Sequence, residues 1–96
     1  MATRQVETVP EDSFAESVRA LLADVLALRP ATVRALRADT PLFGALPELD
    51  SMAVASVLTE LEDRLHIVID DDEVDGELFA TFGSLVAFVT AKKASA

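Results

Sequence analysis

A chain of 96 residues, 51% of them hydrophobic, is one globular domain's worth of sequence. It contains no cysteine, which excludes a disulfide scaffold, a thiolate metal site and a thiol nucleophile of its own. Its net charge of −9 repels phosphate backbones, so nucleic acid is not an expected partner.

The charge is unevenly spread. Residues 1–47 hold six acids and five arginines, whereas residues 48–77 hold eleven acids against Arg64 alone. Such an acidic segment keeps a small domain in solution, and it also steers basic protein partners. The apolar residues are mostly Ala, Val and Leu. With no Trp or Tyr and only three Gly and four Pro, the composition points to helices rather than to turn-rich β structure.

Residues 1–10 read as a flexible arm, without the apolar stretch of a signal peptide. Ser13 and Glu16 fit a capping box. Phe14, Val18, Leu21, Leu22, Val25 and Leu26 then recur at helical spacing, predicting a first helix over residues 13–28 that Pro30 stops. A long connection follows over residues 29–49, carrying Pro30, Pro41, Gly44 and Pro47. It holds a possible helical turn over 32–38, and Leu42, Phe43 and Leu46 are expected to pin it to the core. Long connections in compact domains are often functional.

A second helix is predicted to start at Asp50 or Ser51 and to end near Leu65 or His66. Val54, Val57, Leu58, Leu61 and Leu65 form its apolar face. "HIVI" at 66–69 reads as an extended connector with Ile67 and Ile69 turned inward, and "DDDEVDG" as an acidic loop. Asp75 is expected to cap a short third helix over 76–80, and Thr81 a last helix over 82–92. Leu85, Phe88 and Val89 face the core there, with Lys92 and Lys93 at the dipole's negative end. The predicted fold is all-α: a small four-helix bundle of three main helices and a short third, with a long loop between helices one and two. Residues 11–93 form the domain, with a tail at 94–96. The apolar runs fall short of the roughly 18 residues of a membrane span, and a soluble cytoplasmic monomer is expected.

The chemistry centres on "PELDSMAVASVL", residues 47–58. Ser51 is a weak nucleophile unless a base activates it. The lone histidine, His66, lies about 22 Å away along a continuous helix at 1.5 Å per residue, and no G-x-S-x-G context is present. Serine catalysis is therefore rejected. The acidic loop, aligned as a calcium loop from Asp71, offers Asp71, Glu73, Asp75 and Gly76 in order but Phe82 where the bidentate Glu belongs. No metal site is expected, and His66 reads as a structural residue. Two readings of Ser51 stay open on local physics. Asp50 and Ser51 can simply begin the helix, or a phosphodiester on Ser51 can sit where unpaired amides and the helix dipole favour an anion.

"LPELDSMAVASVLTELEDRL" resembles the second helix of acyl carrier and peptidyl carrier proteins, where a D-S pair precedes an acid-rich amphipathic helix. "DTPLFG" before it, and "LHIVIDDDEV" and "FATFGSLVAFV" after it, are similar to the flanking parts of that family. The likeness runs from about residue 13 to 91, and "LPELDSMAV" resembles stand-alone carriers associated with exosortase systems. The resemblance implies an all-α carrier that is not an enzyme. Ser51 would carry 4′-phosphopantetheine, installed from coenzyme A by a phosphopantetheinyl transferase using magnesium, with Asp50 supporting the attachment site. The arm's thiol would hold acyl groups as thioesters in fatty acid or polyketide biosynthesis, and the apolar interior between the helices would shelter an acyl chain. The arm's thiol also fits a chain without cysteine.

The resemblance further implies a partner face on the second helix, built from Met52, Ala55, Ser56, Thr59, Glu60, Glu62 and Asp63 beside Asp50. It would dock acyl-loading and acyl-transferring enzymes through their basic patches. Two departures bear on which enzymes those are: Ser56 stands where fatty-acid carriers often have an acid, and "PEL" intervenes where they often have glycine. A peptidyl or aminoacyl carrier, and an unmodified helical interaction module, are the alternatives.

Overall fold

The structure, a computed structural model, describes residues 10–95, with side chains described for residues 14–94. Among the described residues there are four α-helices: α1 (Pro10–Leu26), α2 (Pro30–Ala35), α3 (Ser51–Leu65) and α4 (Phe82–Ser95). Helix α1 is the common neighbour, packing against each of the other three. The fold is the expected small helical bundle. Its one short α-helix, however, is α2 in the first connection, while residues 76–80 form successive turns. Among the described residues no helix is long and apolar enough to cross a membrane.

The apolar periodicity of α1 becomes its buried stripe of Val18, Leu21, Leu22 and Leu26, with Phe14 and Val25 partly buried beside it. The helix starts at Pro10, so Ser13 lies inside its first turn rather than at its cap. It ends two residues before the expected Leu28, where Ala27 turns left-handed at φ 54°. The amide of Leu28 then donates to Ala23 O at 3.1 Å, closing the last turn. Pro30 opens α2 as well as ending what precedes it, because a first-turn proline lacks only an amide that a helix leaves unused. The arm predicted for residues 1–10 lies outside the described residues except for Pro10.

The long connection is held down by Leu36, Leu42, Leu46 and Leu49, all buried. It is stitched by its backbone to the end of the segment before α4 and to the first two residues of α4. Leu42 N donates to Ala80 O, Phe43 N to Phe79 O, Phe82 N to Thr40 O and Gly83 N to Ala38 O. The last approach requires glycine, since a Cβ at residue 83 would lie 2.6 Å from Ala38 O. Phe43 departs from the expected pin. The residue stays 45% exposed, its ring resting on the buried Phe79 at 5.7 Å between centroids.

Helix α3 matches its predicted bounds, with Val57 and Leu61 buried. His66 ends it in the left-handed region at φ 55°. Ile67 is buried and Ile69 partly so, while Val68 between them is 71% exposed, as the alternation of an extended connector requires. The acidic loop contains an unexpected 3₁₀ turn at Asp71–Glu73. Asp75 accepts from the amides of Glu77 and Leu78, so it caps a turn and not a helix. Thr81 and Ser84 exchange hydrogen bonds, each hydroxyl accepting from the other's amide, which caps α4 as predicted. Phe82, Leu85, Val86 and Val89 complete the core, and Phe88 stays partly buried. No polar or charged residue among the described ones is buried.

Candidate functional site: the serine at the start of helix α3

Asp50 is the N-cap of α3, and its Oδ1 accepts from Ala53 N at 2.9 Å. Its carbonyl accepts from Val54 N, also at 2.9 Å. Capping therefore falls to Asp50, which frees Ser51, the first residue within the helix. The Ser51 side chain is exposed and its hydroxyl has no partner among the described residues. The amides of Ser51 and Met52 also make no hydrogen bond among the described residues. A free hydroxyl thus stands beside two unused backbone donors at the positive end of a fifteen-residue helix. His66 is at the opposite end of the same helix, serving as its left-handed terminus, so it is out of reach of Ser51.

An open depression of about 510 Å³ adjoins the serine, lined by Phe43, Leu49, Asp50, Ser51 and Val54. Its apolar wall comes from both sides of Ser51: Phe43 and Leu49 from the long connection, Val54 from the first turn of α3. Phe43 and Leu49 had no place in the sequence-based site. An aromatic in a loop reads as a core anchor, and only the pairing of residue 43 with residue 79 turns its ring outward.

The seven residues expected on the partner face separate into two groups. Met52 is 81% exposed, and Ala55, Ser56, Thr59 and Asp63 are exposed along the same side. Ala55, Ser56, Thr59 and Glu60 line a shallow hollow of about 250 Å³. Glu60 is partly engaged, pairing with Arg64 at 2.8 Å one turn on. Arg64 also meets Asp24 of α1 at 3.0 Å, and the bonds to Asp24 and then Glu60 hold its guanidinium above its ordinary pKa. Glu62 is partly buried, and its carboxylate is engaged within the fold. Its Oε2 accepts from Ile69 N at 2.8 Å, and its carbonyl accepts from the amides of His66 and Ile67. It fastens the connector to α3, a role that spacing alone does not reveal.

Within the acidic loop, Glu73 and Asp75 have protein partners as well. Glu73 bonds the Asp70 amide at 2.9 Å and pairs with Lys92 at 2.7 Å. The bond to Lys92, and next that to the Asp70 backbone, hold its carboxyl below its ordinary value. Among the described residues no three of His, Cys, Asp and Glu come together as metal ligands.

A family model described as the phosphopantetheine attachment site matches residues 16–89. The solution NMR structure of a holo acyl carrier protein from Nitrosomonas europaea is similar, at 44% identity and a TM-score of 0.74. The match covers 85% of this chain and 96% of that one. A comparison with curated proteins gave no match. With the family model spanning all but the ends of the bundle and a holo acyl carrier protein sharing its fold, this chain belongs to the phosphopantetheine attachment site family, acyl-carrier-like domains that bear phosphopantetheine covalently.

Proposed function

We propose that this chain is an acyl carrier protein whose 4′-phosphopantetheine is esterified to Ser51. The observation that carries the reading is the unpartnered hydroxyl of Ser51, next to a cap that Asp50 supplies by itself. A serine needed only to start the helix would be spending its hydroxyl on an amide, and this one does not. When bound, the prosthetic group supplies a terminal thiol that holds an acyl group as a thioester, which a cysteine-free chain cannot do with its own side chains.

The residues around the site suit the group. The amides of Ser51 and Met52 offer donors to the phosphodiester oxygens, and the helix dipole favours the negative charge. Asp50 contributes order: its carboxylate fixes the first turn and hence the direction in which the serine oxygen points. In loading, the Ser51 oxygen takes the β-phosphorus of coenzyme A, the pyrophosphate link breaks, adenosine 3′,5′-bisphosphate leaves, and the serine proton passes to a base of the transferase. The carrier itself catalyses nothing. It raises the local concentration of a tethered acyl group at enzymes that dock on Met52, Ala55, Ser56, Thr59 and Asp63. Those enzymes present basic patches to the acidic helix. The 44%-identical holo acyl carrier protein favours acyl over peptidyl cargo, and the setting is the cytoplasm, with the protein acting as a monomer.

Intact mass after incubation with coenzyme A, magnesium and a broad-specificity phosphopantetheinyl transferase tests the attachment. A gain of about 340 Da is expected for the wild type and none for Ser51→Ala. A wild-type chain that stays at its apo mass sinks the proposal.

A further inference from the structure

Phe43 poses a problem that carrier function in general does not answer. A phenylalanine in a loop gains by burial, yet this residue is 45% exposed beside the attachment serine. It is not a loosely hanging side chain. Its amide donates to Phe79 O at 3.3 Å, the preceding Leu42 is buried and donates to Ala80 O, and its ring leans on Phe79 at an angle of 55°. Gly44 follows in the left-handed region at φ 89°, turning the chain so that the ring stays at the rim. Leu49, 5% exposed, and the partly buried Val54 complete an apolar wall, and Ser51 is part of the same lining.

Any group esterified to Ser51 is therefore delivered at the mouth of this depression. Beyond the phosphodiester, the first part of a phosphopantetheine arm is a methylene and then a quaternary carbon bearing two methyl groups, only a few bonds from the serine oxygen. The polar amides and the thiol come later along the arm. Methyls that near a fixed apolar wall lose water by resting on it. The later, polar parts of the arm gain nothing there. The negative charges nearby are compatible with this, since the Asp50 carboxylate is turned to the Ala53 amide.

We infer that the depression walled by Phe43, Leu49 and Val54 seats the dimethyl end of the arm on Ser51, with Phe43 as its positioning residue. This rests on the attachment at Ser51 proposed above. The seat holds the root of the arm against the bundle in a preferred direction while the thiol end swings free. A partner enzyme that draws the arm into its own active site must first lift the methyls off Phe43.

The test uses the isolated full-length protein, loaded with coenzyme A carrying ¹³C in the two pantoyl methyls. Loading is confirmed by mass before spectra are taken. In the wild type the two methyl signals, already inequivalent because they are diastereotopic, are expected to move away from their free-arm positions by ring current. Cross-relaxation to Phe43 ring protons and Val54 methyls should be seen with no partner present. Phe43→Ala, checked for helicity and loaded to the same mass, is expected to bring both methyl signals to their positions in free coenzyme A. Phe43→Leu keeps the fold-side packing and is expected to retain contact with Val54 while losing the ring shift. Fully loaded wild-type protein with free-arm methyl shifts and no cross-relaxation overturns the seat and leaves the attachment standing. A wild type that gains no mass overturns both.

Discussion

Among the described residues two non-glycines sit in the left-handed region, Ala27 at φ 54° and His66 at φ 55°, and each ends a helix. An L-residue there crowds its Cβ against the following carbonyl, a cost that glycine avoids. Ala27 is exposed, so its methyl contributes little packing in return. Ala27→Gly is expected to raise stability by about 0.5–1 kcal/mol, read as a higher denaturation midpoint with an unchanged slope. At the same scale, Asp50 and Ser51 divide two tasks that look interchangeable on paper. Either residue type can cap a helix, and only the observed bond from the Ala53 amide shows which carboxylate or hydroxyl is spent.

At the scale of elements, the connector after α3 is fastened at both ends. Glu62 holds Ile69 from within α3, and Lys93 Nζ donates to Leu65 O at 2.9 Å from α4. The Glu73–Lys92 pair then ties the 3₁₀ turn to α4. That pairing lowers the Glu73 pKa from an ordinary value of 4.5. A carboxyl lowered in the folded state stabilises above its unfolded value, and the gain is lost as pH falls through the folded value. Unfolding midpoints of the wild type and Glu73→Gln measured across pH are therefore expected to differ above about pH 4.5 and to converge in stronger acid. Equal differences at every pH would mean that the ion pair is not the cause. Both side chains are partly solvent-accessible, so the effect is that of a surface pair and weakens with salt.

At the scale of the whole molecule, the acids do two different jobs. Asp63 is exposed on the same side of α3 as Met52 and Thr59, whereas Glu62 is tied to the connector. Asp63→Lys is expected to leave the melting temperature within about 2 °C while weakening transfer from the loaded carrier to an enzyme with a basic docking patch, and to flatten the salt dependence of that transfer. Glu62→Ala is expected to behave oppositely, costing about 1–3 kcal/mol by leaving the Ile69 amide unpaired, with docking unchanged once folded. A loss of docking at unaltered stability in Glu62→Ala would return that residue to the partner face.

The three long helices, the bounds of α3, the cap at Thr81 and the position of the D-S pair were legible in the sequence, because each depends on spacing and caps within one turn or two. The short helix was harder to place. Pro30 serves both as a stop and as a first-turn residue, and Asp75 caps a turn as readily as a helix, so local chemistry left each ambiguous. The outward ring of Phe43, the inward bond of Glu62 and the glycine at 83 were not legible at all. Each is decided by a backbone from another part of the chain: residue 79 beside residue 43, residue 69 beside residue 62, and residue 38 against residue 83. The sequence by itself determined a cysteine-free acidic helical bundle with a serine at a helix start. Only the tertiary structure decided that this serine's hydroxyl is free and that an apolar wall stands next to it, because both depend on which groups the fold brings within hydrogen-bonding or van der Waals reach.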